Sequence, residues 1–146
     1  MVIVCKSVQD SGWLVMRQAL WPEATRDEHI EEMMSLLEDS KRYGQFIAMD
    51  DAGEPAGFIE AALRYDYVNG TETSPVAFIE GIYVKPGHRS QGFARQLMDA
   101  VTDWARAQGC VELASDTGLD NFVSQDVHKA LGFVETERVV YFRKCL

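Results

Sequence analysis

Two carboxylates stand where apolar residues are expected. Glu80 interrupts the strand-like run "VAFIEGIYV", and Asp116 closes the strand-like "CVELASD". A charge inside a packed strand is costly unless it has a partner or faces a wet cleft. The carboxyl edge of an open α/β sheet, where Asp116 would lie, is where ligands tend to collect. Two such acids facing one cleft would suit an ammonium ligand and could also take its proton. Each has a structural alternative: Glu80 pairing with Arg64, and Asp116 capping the turn "DTGLDN".

A third feature is the hexapeptide "RSQGFA", Arg89 to Ala94, between that apolar run and a helix-like segment. The first-turn N–H groups of a helix have no internal partner and, with the helix dipole, form an anion site. Gly92 permits close backbone approach, Ala94 keeps the next turn small, and Arg89 adds a positive charge. No G-K-[ST] follows, so this is not a Walker loop. The alternative is a plain helix start with a solvated Arg.

These residues need elements to position them. Val2 to Ser7 reads as a strand. The next segment carries Trp13, Leu14, Met16, Leu20 and Trp21 at helical spacing, with Asp10 or Ser11 as the cap and Pro22 as the stop. A second helix starts at Thr25 or Asp27, with Ile30, Met33, Met34 and Leu37 as its apolar face. "QFIAMD" and "AGFIEAALRYD" flank the turn "DAGEP" as a hairpin, and "YVNGTETSP" turns into the inner strand that holds Glu80. Phe93 to Gln108 shows the clearest helical stripe, ended by Gly109; "NFVSQDVHKAL" is a further helix ended by Gly132. "FVETERVVYFRK" alternates like one bent strand or two joined strands. The order βααβββαβαββ implies one α/β domain over residues 1–146, a mixed central sheet with helices on both faces.

Composition narrows the function classes. A chain of 146 residues with 47% apolar and 25% charged residues can bury a core without disulfides or a structural metal. Cys5, Cys110 and Cys145 are widely spaced and suggest neither a disulfide framework nor a zinc site, and core packing is the preferred account of all three. The absence of a signal-like start or a long apolar run points to a cytoplasmic protein with no membrane partner. A net charge of -9 argues against nucleic acid and favours a cationic ligand.

Together "VKPGHRSQGFARQLM", "ASDTGLDN" and "VHKALGF" make the chain resemble the GCN5-related N-acetyltransferase (GNAT) family. The resemblance implies acetyl-CoA as cosubstrate, with its pyrophosphate on the backbone of Arg89, Ser90, Gln91, Gly92, Phe93 and Ala94. It implies a sheet splayed between the fourth and fifth strands, so that the pantetheine arm pairs along Ile82, Tyr83 and Val84 and meets Asn121. Unpaired amides of that strand would face the oxyanion of the intermediate. Many relatives have Tyr where this chain has His128, so the proton donor to the departing thiolate is His128, Tyr141 or neither; each could instead be structural.

Within that family the pieces "LWP", "RYDYVNG", "SPVAFIEGIYV", "ASDT" and "ETERVVYFRK" resemble the aminoglycoside 6'-N-acetyltransferases. That resemblance implies Trp21 and Tyr65 or Tyr67 stacking on sugar rings, Glu80, Asp116 and Glu137 binding ammonium groups, and Asp66 deepening the negative field. It also implies direct transfer, with Glu80 as the first choice of base and Asp116 the second, no metal, and a homodimer in which "VVYFRKCL" pairs with a partner's sheet edge. The competing readings are acetylation of another amine, a polyamine or a protein N-terminus, and an acetyl-CoA sensor without chemistry.

Overall fold

The computed structural model describes residues 1–10 and 12–146. Ser11, one of the two expected caps of the first helix, lies outside the described residues. Asp10, the other, serves the turn before it: its carboxylate accepts from the backbone N–H groups of Lys6 and Ser7. The residue that precedes the helix is Gly12.

Among the described residues, five strands form one sheet in the order β1-β2-β3-β4-β5. β1 (Val2–Val4), β2 (Tyr43–Met49), β3 (Pro55–Arg64) and β4 (Val76–Val84) are antiparallel neighbours, and β5 (Leu113–Ala114) runs parallel to β4. The period-two alternation of the strands divides the core into two layers. Phe46, Ala48, Ile59, Ala61 and Ile79 face α3 (Phe93–Ala107), which contributes Leu97, Met98 and Val101. Ile47, Met49 and Phe58 face α1 (Trp13–Leu20) and α2 (Arg26–Leu37), which contribute Trp13, Met16 and Met33.

α2 begins with a reciprocal cap: Thr25 Oγ1 accepts from Glu28 N at 3.2 Å, and Glu28 Oε1 accepts from Thr25 N at 3.2 Å. Its buried stripe differs from the expected one. His29 and Met33 face the sheet, while Met34 is 55% exposed. A buried histidine with both ring nitrogens hydrogen-bonded takes the place that pure hydropathy gives to Ile30 and Met34.

Two features of β4 shape the site. Glu60 sits opposite Gly81 and Ala61 opposite Ile79, which makes Glu80 the extra residue of a β-bulge. The β4–β5 ladder then ends after two pairs, Ala77 with Leu113 and Phe78 with Ala114. From Ile79 to Val84 the β5 side of β4 carries no strand, the splay expected between the fourth and fifth strands.

The C-terminal expectation is corrected. α4 (Phe122–Ala130) forms, but residues 134–146 contain no strand. Tyr141 and Phe142 are 83% and 93% exposed. An alternating segment becomes a strand only where a ladder partner satisfies its backbone, and among the described residues the segment finds none. Among the described residues no helix is long and apolar enough to cross a membrane.

Candidate functional site

The hexapeptide joins β4 to α3 through a 3-10 turn at Pro86–His88. Arg89 Nε donates to Val84 O at 3.0 Å, and Gln91 Nε2 donates to Gly87 O at 3.1 Å, so both side chains brace the loop. Ser90 and Gly92 have φ of 60° and 88°, a left-handed alternation that turns successive N–H groups to one side. No side chain caps α3, which leaves the amides after Gly92 free for an anion. A Cβ at Gly92 would meet nothing within 4 Å, so in this chain the positive φ, rather than crowding, requires glycine. His88 anchors the loop from behind, with Nε2 2.9 Å from Asp50 Oδ2; this contact is the first cause that holds the Asp50 carboxyl below its usual range.

The expected acids and aromatics divide between two cavities. The first, about 340 Å³, is lined by Tyr67, Asp116, His128, Glu137, Tyr141 and Arg64. Asp116 makes no hydrogen bond or ion pair to the described residues, so the turn-capping alternative does not hold. The second, about 800 Å³, lies between the α1–α2 layer and the sheet and is lined by Trp21 and Glu80. Five further glutamates, Glu23, Glu28, Glu31, Glu32 and Glu60, surround it, with Arg17 as a cation among them. Glu80 and Asp116 therefore line adjoining spaces and do not share one cleft.

Arg64 connects the two. Its Nη2 donates to both oxygens of Glu80 at 3.0 and 3.2 Å, and its guanidinium lies 3.6 Å from the Phe78 ring centroid. The structural alternative for Glu80 is thus present. Both partners are about two-fifths exposed, so solvent screens the pair and an incoming ammonium could exchange with the guanidinium.

Other expected residues lie at the rim. Tyr65 and Asp66 are exposed on the loop after β3, and the Tyr65 carbonyl accepts from Ser74 Oγ at 2.9 Å. Ile82 and Val84 pack toward α3 while Tyr83 packs toward Phe58. Asn121 caps α4: its Oδ1 accepts from Ser124 N at 3.0 Å, which leaves its Nδ2 donors for a ligand.

Sequence reasoning missed a buried polar network under Trp21. Glu60 Oε1 accepts from Trp13 Nε1 at 2.9 Å and from Arg17 Nη1, while Arg17 Nη2 donates to Glu32. Arg17 Nε donates to His29 Nδ1 at 3.3 Å; arginine only donates, so that nitrogen is bare and His29 Nε2–H donates to Trp21 O at 3.1 Å. The guanidinium also lies 4.8 Å from the Trp21 ring centroid. Burial pushes the Glu60 carboxyl up, and Arg17 pulls it back. The signal was available: Arg17 falls four residues after Trp13 on the apolar stripe, and Glu60 interrupts an apolar strand as Glu80 does.

A second missed residue is Ser115, beside His128. His128 Nδ1 is 2.7 Å from Ser124 O, and a carbonyl only accepts, so Nδ1 carries the proton. His128 Nε2 is 2.7 Å from Ser115 Oγ. The ring also stacks edge-on against Phe133, with centroids 5.3 Å apart.

With this geometry in hand, similarity to other proteins becomes informative. The sequence model of the Acetyltransferase (GNAT) family matches residues 13–133. Over 146 residues the chain is 49% identical to an aminoglycoside N(6')-acetyltransferase type 1 of Serratia marcescens, covering 100% of this chain and 99% of that one. Among solved structures it resembles AAC(6')-Iy in complex with the bisubstrate analogue CoA-S-monomethyl-acetylneamine, with a TM-score of 0.93, 43% identity and coverage of 100% and 98%. It also resembles AAC(6')-Ih from Acinetobacter baumannii, a 6'-N-acetyltransferase of aminoglycoside antibiotics, with a TM-score of 0.93, 45% identity and coverage of 100% and 98%.

Proposed function

The chain belongs to the acetyltransferase (GNAT) family, and from that premise we propose that it transfers the acetyl group of acetyl-CoA to the 6'-amine of aminoglycosides by direct attack. The observation that carries the substrate class is the glutamate-lined cavity beside Trp21 and the Arg64–Glu80 pair. Several spaced carboxylates and an aromatic platform match a polycationic sugar better than a peptide, which needs backbone edges. The result of the reaction is loss of one positive charge from the antibiotic, a resistance function.

The amides after Gly92, with Arg89, hold the pyrophosphate, and Ser90, Gln91, Phe93 and Ala94 shape that cradle. The β5-facing side of Ile82 to Val84 receives the pantetheine arm, with Asn121 opposite, and supplies N–H groups to the oxyanion. Trp21 and Tyr67, with Tyr65 at the rim, support the sugar rings; Asp116, Glu137 and Asp66 attract its other ammonium groups. Glu80 removes the proton that makes the 6'-ammonium unreactive, directly or through water. No cysteine is needed as a nucleophile: Cys5 and Cys110 are buried, whereas Cys145 is exposed in the C-terminal segment, so core packing accounts for two of the three and not for Cys145.

Residues 1–146 act as one N-acetyltransferase domain in the cytoplasm, and the exposed apolar segment around Tyr141 and Phe142 supports a homodimer in which it pairs with a second copy. Tyr141 would then be set by that interface.

The reading is tested by CoA release from acetyl-CoA with kanamycin-type sugars that carry a 6'-amine, their 6'-hydroxyl analogues, spermidine and a peptide. Turnover confined to 6'-amino sugars is expected. Turnover of spermidine or peptide alone would replace the substrate class, and acetyl-CoA binding without turnover of any amine would favour the sensor. A further expectation concerns Gly81, where an added Cβ would lie 2.4 Å from Trp21 Cζ2. Gly81→Ala forces Trp21 aside at a cost of about 1–3 kcal/mol. Steady-state kinetics should show the sugar KM raised roughly tenfold, with the acetyl-CoA KM little changed.

A further inference from the structure

We propose that the Ser115 hydroxyl is the catalytic group that protonates the departing CoA thiolate, and that His128 supplies the proton through it. The inference rests on the acetyl-transfer reading above. Ser115 immediately follows β5, where that strand has parted from β4, and it lines the first cavity with Asp116 and His128. Its Oγ lies 2.7 Å from His128 Nε2.

The hydrogen-bond directions follow from the partners. Ser124 O holds the Nδ1 proton of His128 in every state. With a neutral ring, Nε2 is bare and Ser115 donates to it. With a charged ring, Nε2–H donates to Ser115 Oγ and turns the hydroxyl proton outward into the cavity. His128 is therefore unable to present either nitrogen to a ligand without breaking a hydrogen bond, whereas the serine hydroxyl is freed by protonation of the ring.

The step balances. The amine nitrogen bonds to the acetyl carbon and the carbon–sulfur bond breaks. The sulfur takes the Ser115 Oγ proton as Oγ takes the His128 Nε2 proton, and the neutral ring regains a proton from solvent. The proton lost by the amine goes separately to its base. Serine ends unchanged, with no acyl-enzyme.

Ser115→Ala should lower kcat for a 6'-amino sugar by about 10²-fold with acetyl-CoA, with both KM values nearly unchanged. With the donor analogue in which selenium replaces the thioester sulfur, the loss should shrink to less than about threefold, because a selenolate departs without a proton. Ser115→Thr, which keeps the hydroxyl, should retain most of the activity. A readout independent of turnover is imidazole 15N NMR: CoA should shift the His128 Nε2 signal more than desulfo-CoA does in the parent protein, and equally in Ser115→Ala. An unchanged kcat in Ser115→Ala, or the same loss with both donors, would overturn the proposal. Absence of turnover in the parent protein would instead remove the acetyl-transfer reading on which it rests.

Discussion

Replacing Glu80 by Gln lowers kcat for acetyl transfer by about 10²- to 10⁴-fold, the range for loss of a positioned general base. The substitution keeps the shape of the side chain and its place in the β4 bulge, so the fold is not expected to respond. Both members of the Arg64–Glu80 pair are about two-fifths exposed, and exposed ion pairs are worth only about 0–1 kcal/mol. Thermal stability should therefore stay close to that of the parent protein while the chemistry is lost. The measurement is the pH dependence of kcat/KM for a 6'-amino sugar. Loss of the limb that reports the base is the expected outcome. A profile and rate like the parent's would transfer the role to Asp116, which lines the adjoining cavity with its carboxylate unpaired. Arg64→Ala provides the contrast, because it frees the Glu80 carboxylate without removing it and should change the sugar KM more than kcat.

How far the sequence could be read depended on what each signal physically encodes. The stripe through Leu97, Met98, Val101 and Ala105 is local, and α3 forms over it with those four residues buried. The turn "DAGEP" closes on itself, with Asp50 Oδ1 accepting from Ala52 N and Glu54 N at 2.9 Å, and the hairpin forms where its residues place it. The junction of β4, loop and α3 was legible for the same reason.

Signals that depend on distant partners were not. α2 buries His29 because Arg17 and the Trp21 carbonyl satisfy both ring nitrogens, which a hydropathy pattern cannot register. The sequence likewise gave no way to place Glu80 and Asp116 in adjoining spaces; the bulge at Glu80 and the early end of the β4–β5 ladder decide it. "FVETERVVYFRK" alternates as a strand should, yet alternation specifies only which residues share a face. The ladder needs a pairing strand, and the other described residues do not provide one.

The largest effect on stability is expected at Arg17. Arg17→Met leaves the Glu60 carboxylate in the core with only the Trp13 indole as a donor, and strands the Nδ1 lone pair of His29. Removing one member of a buried ion pair costs about 3–5 kcal/mol, because the other charge stays unpaired. For a domain of this size the midpoint of thermal unfolding should fall by on the order of 10 °C. The sign of the pH effect follows from Glu60, whose carboxyl burial already pushes up and which loses its main opposing influence with Arg17. A folded-state value above the unfolded one means that the folded protein binds the extra proton. Stability is then highest below the unfolded carboxyl range and falls as pH rises toward the folded value. The deficit of Arg17→Met against the parent should therefore narrow in acid and widen toward neutrality, as thermal melts across that range would show. Arg17→Met combined with Glu60→Leu should recover much of the loss, since a buried pair replaced by apolar side chains is often neutral or better. The recovered protein should nevertheless bind the sugar poorly, because Trp21 has lost the guanidinium under its ring and the histidine that Arg17 held against its carbonyl. A double variant that regains stability and also keeps the parent's sugar KM would show that the network serves folding alone and does not position Trp21.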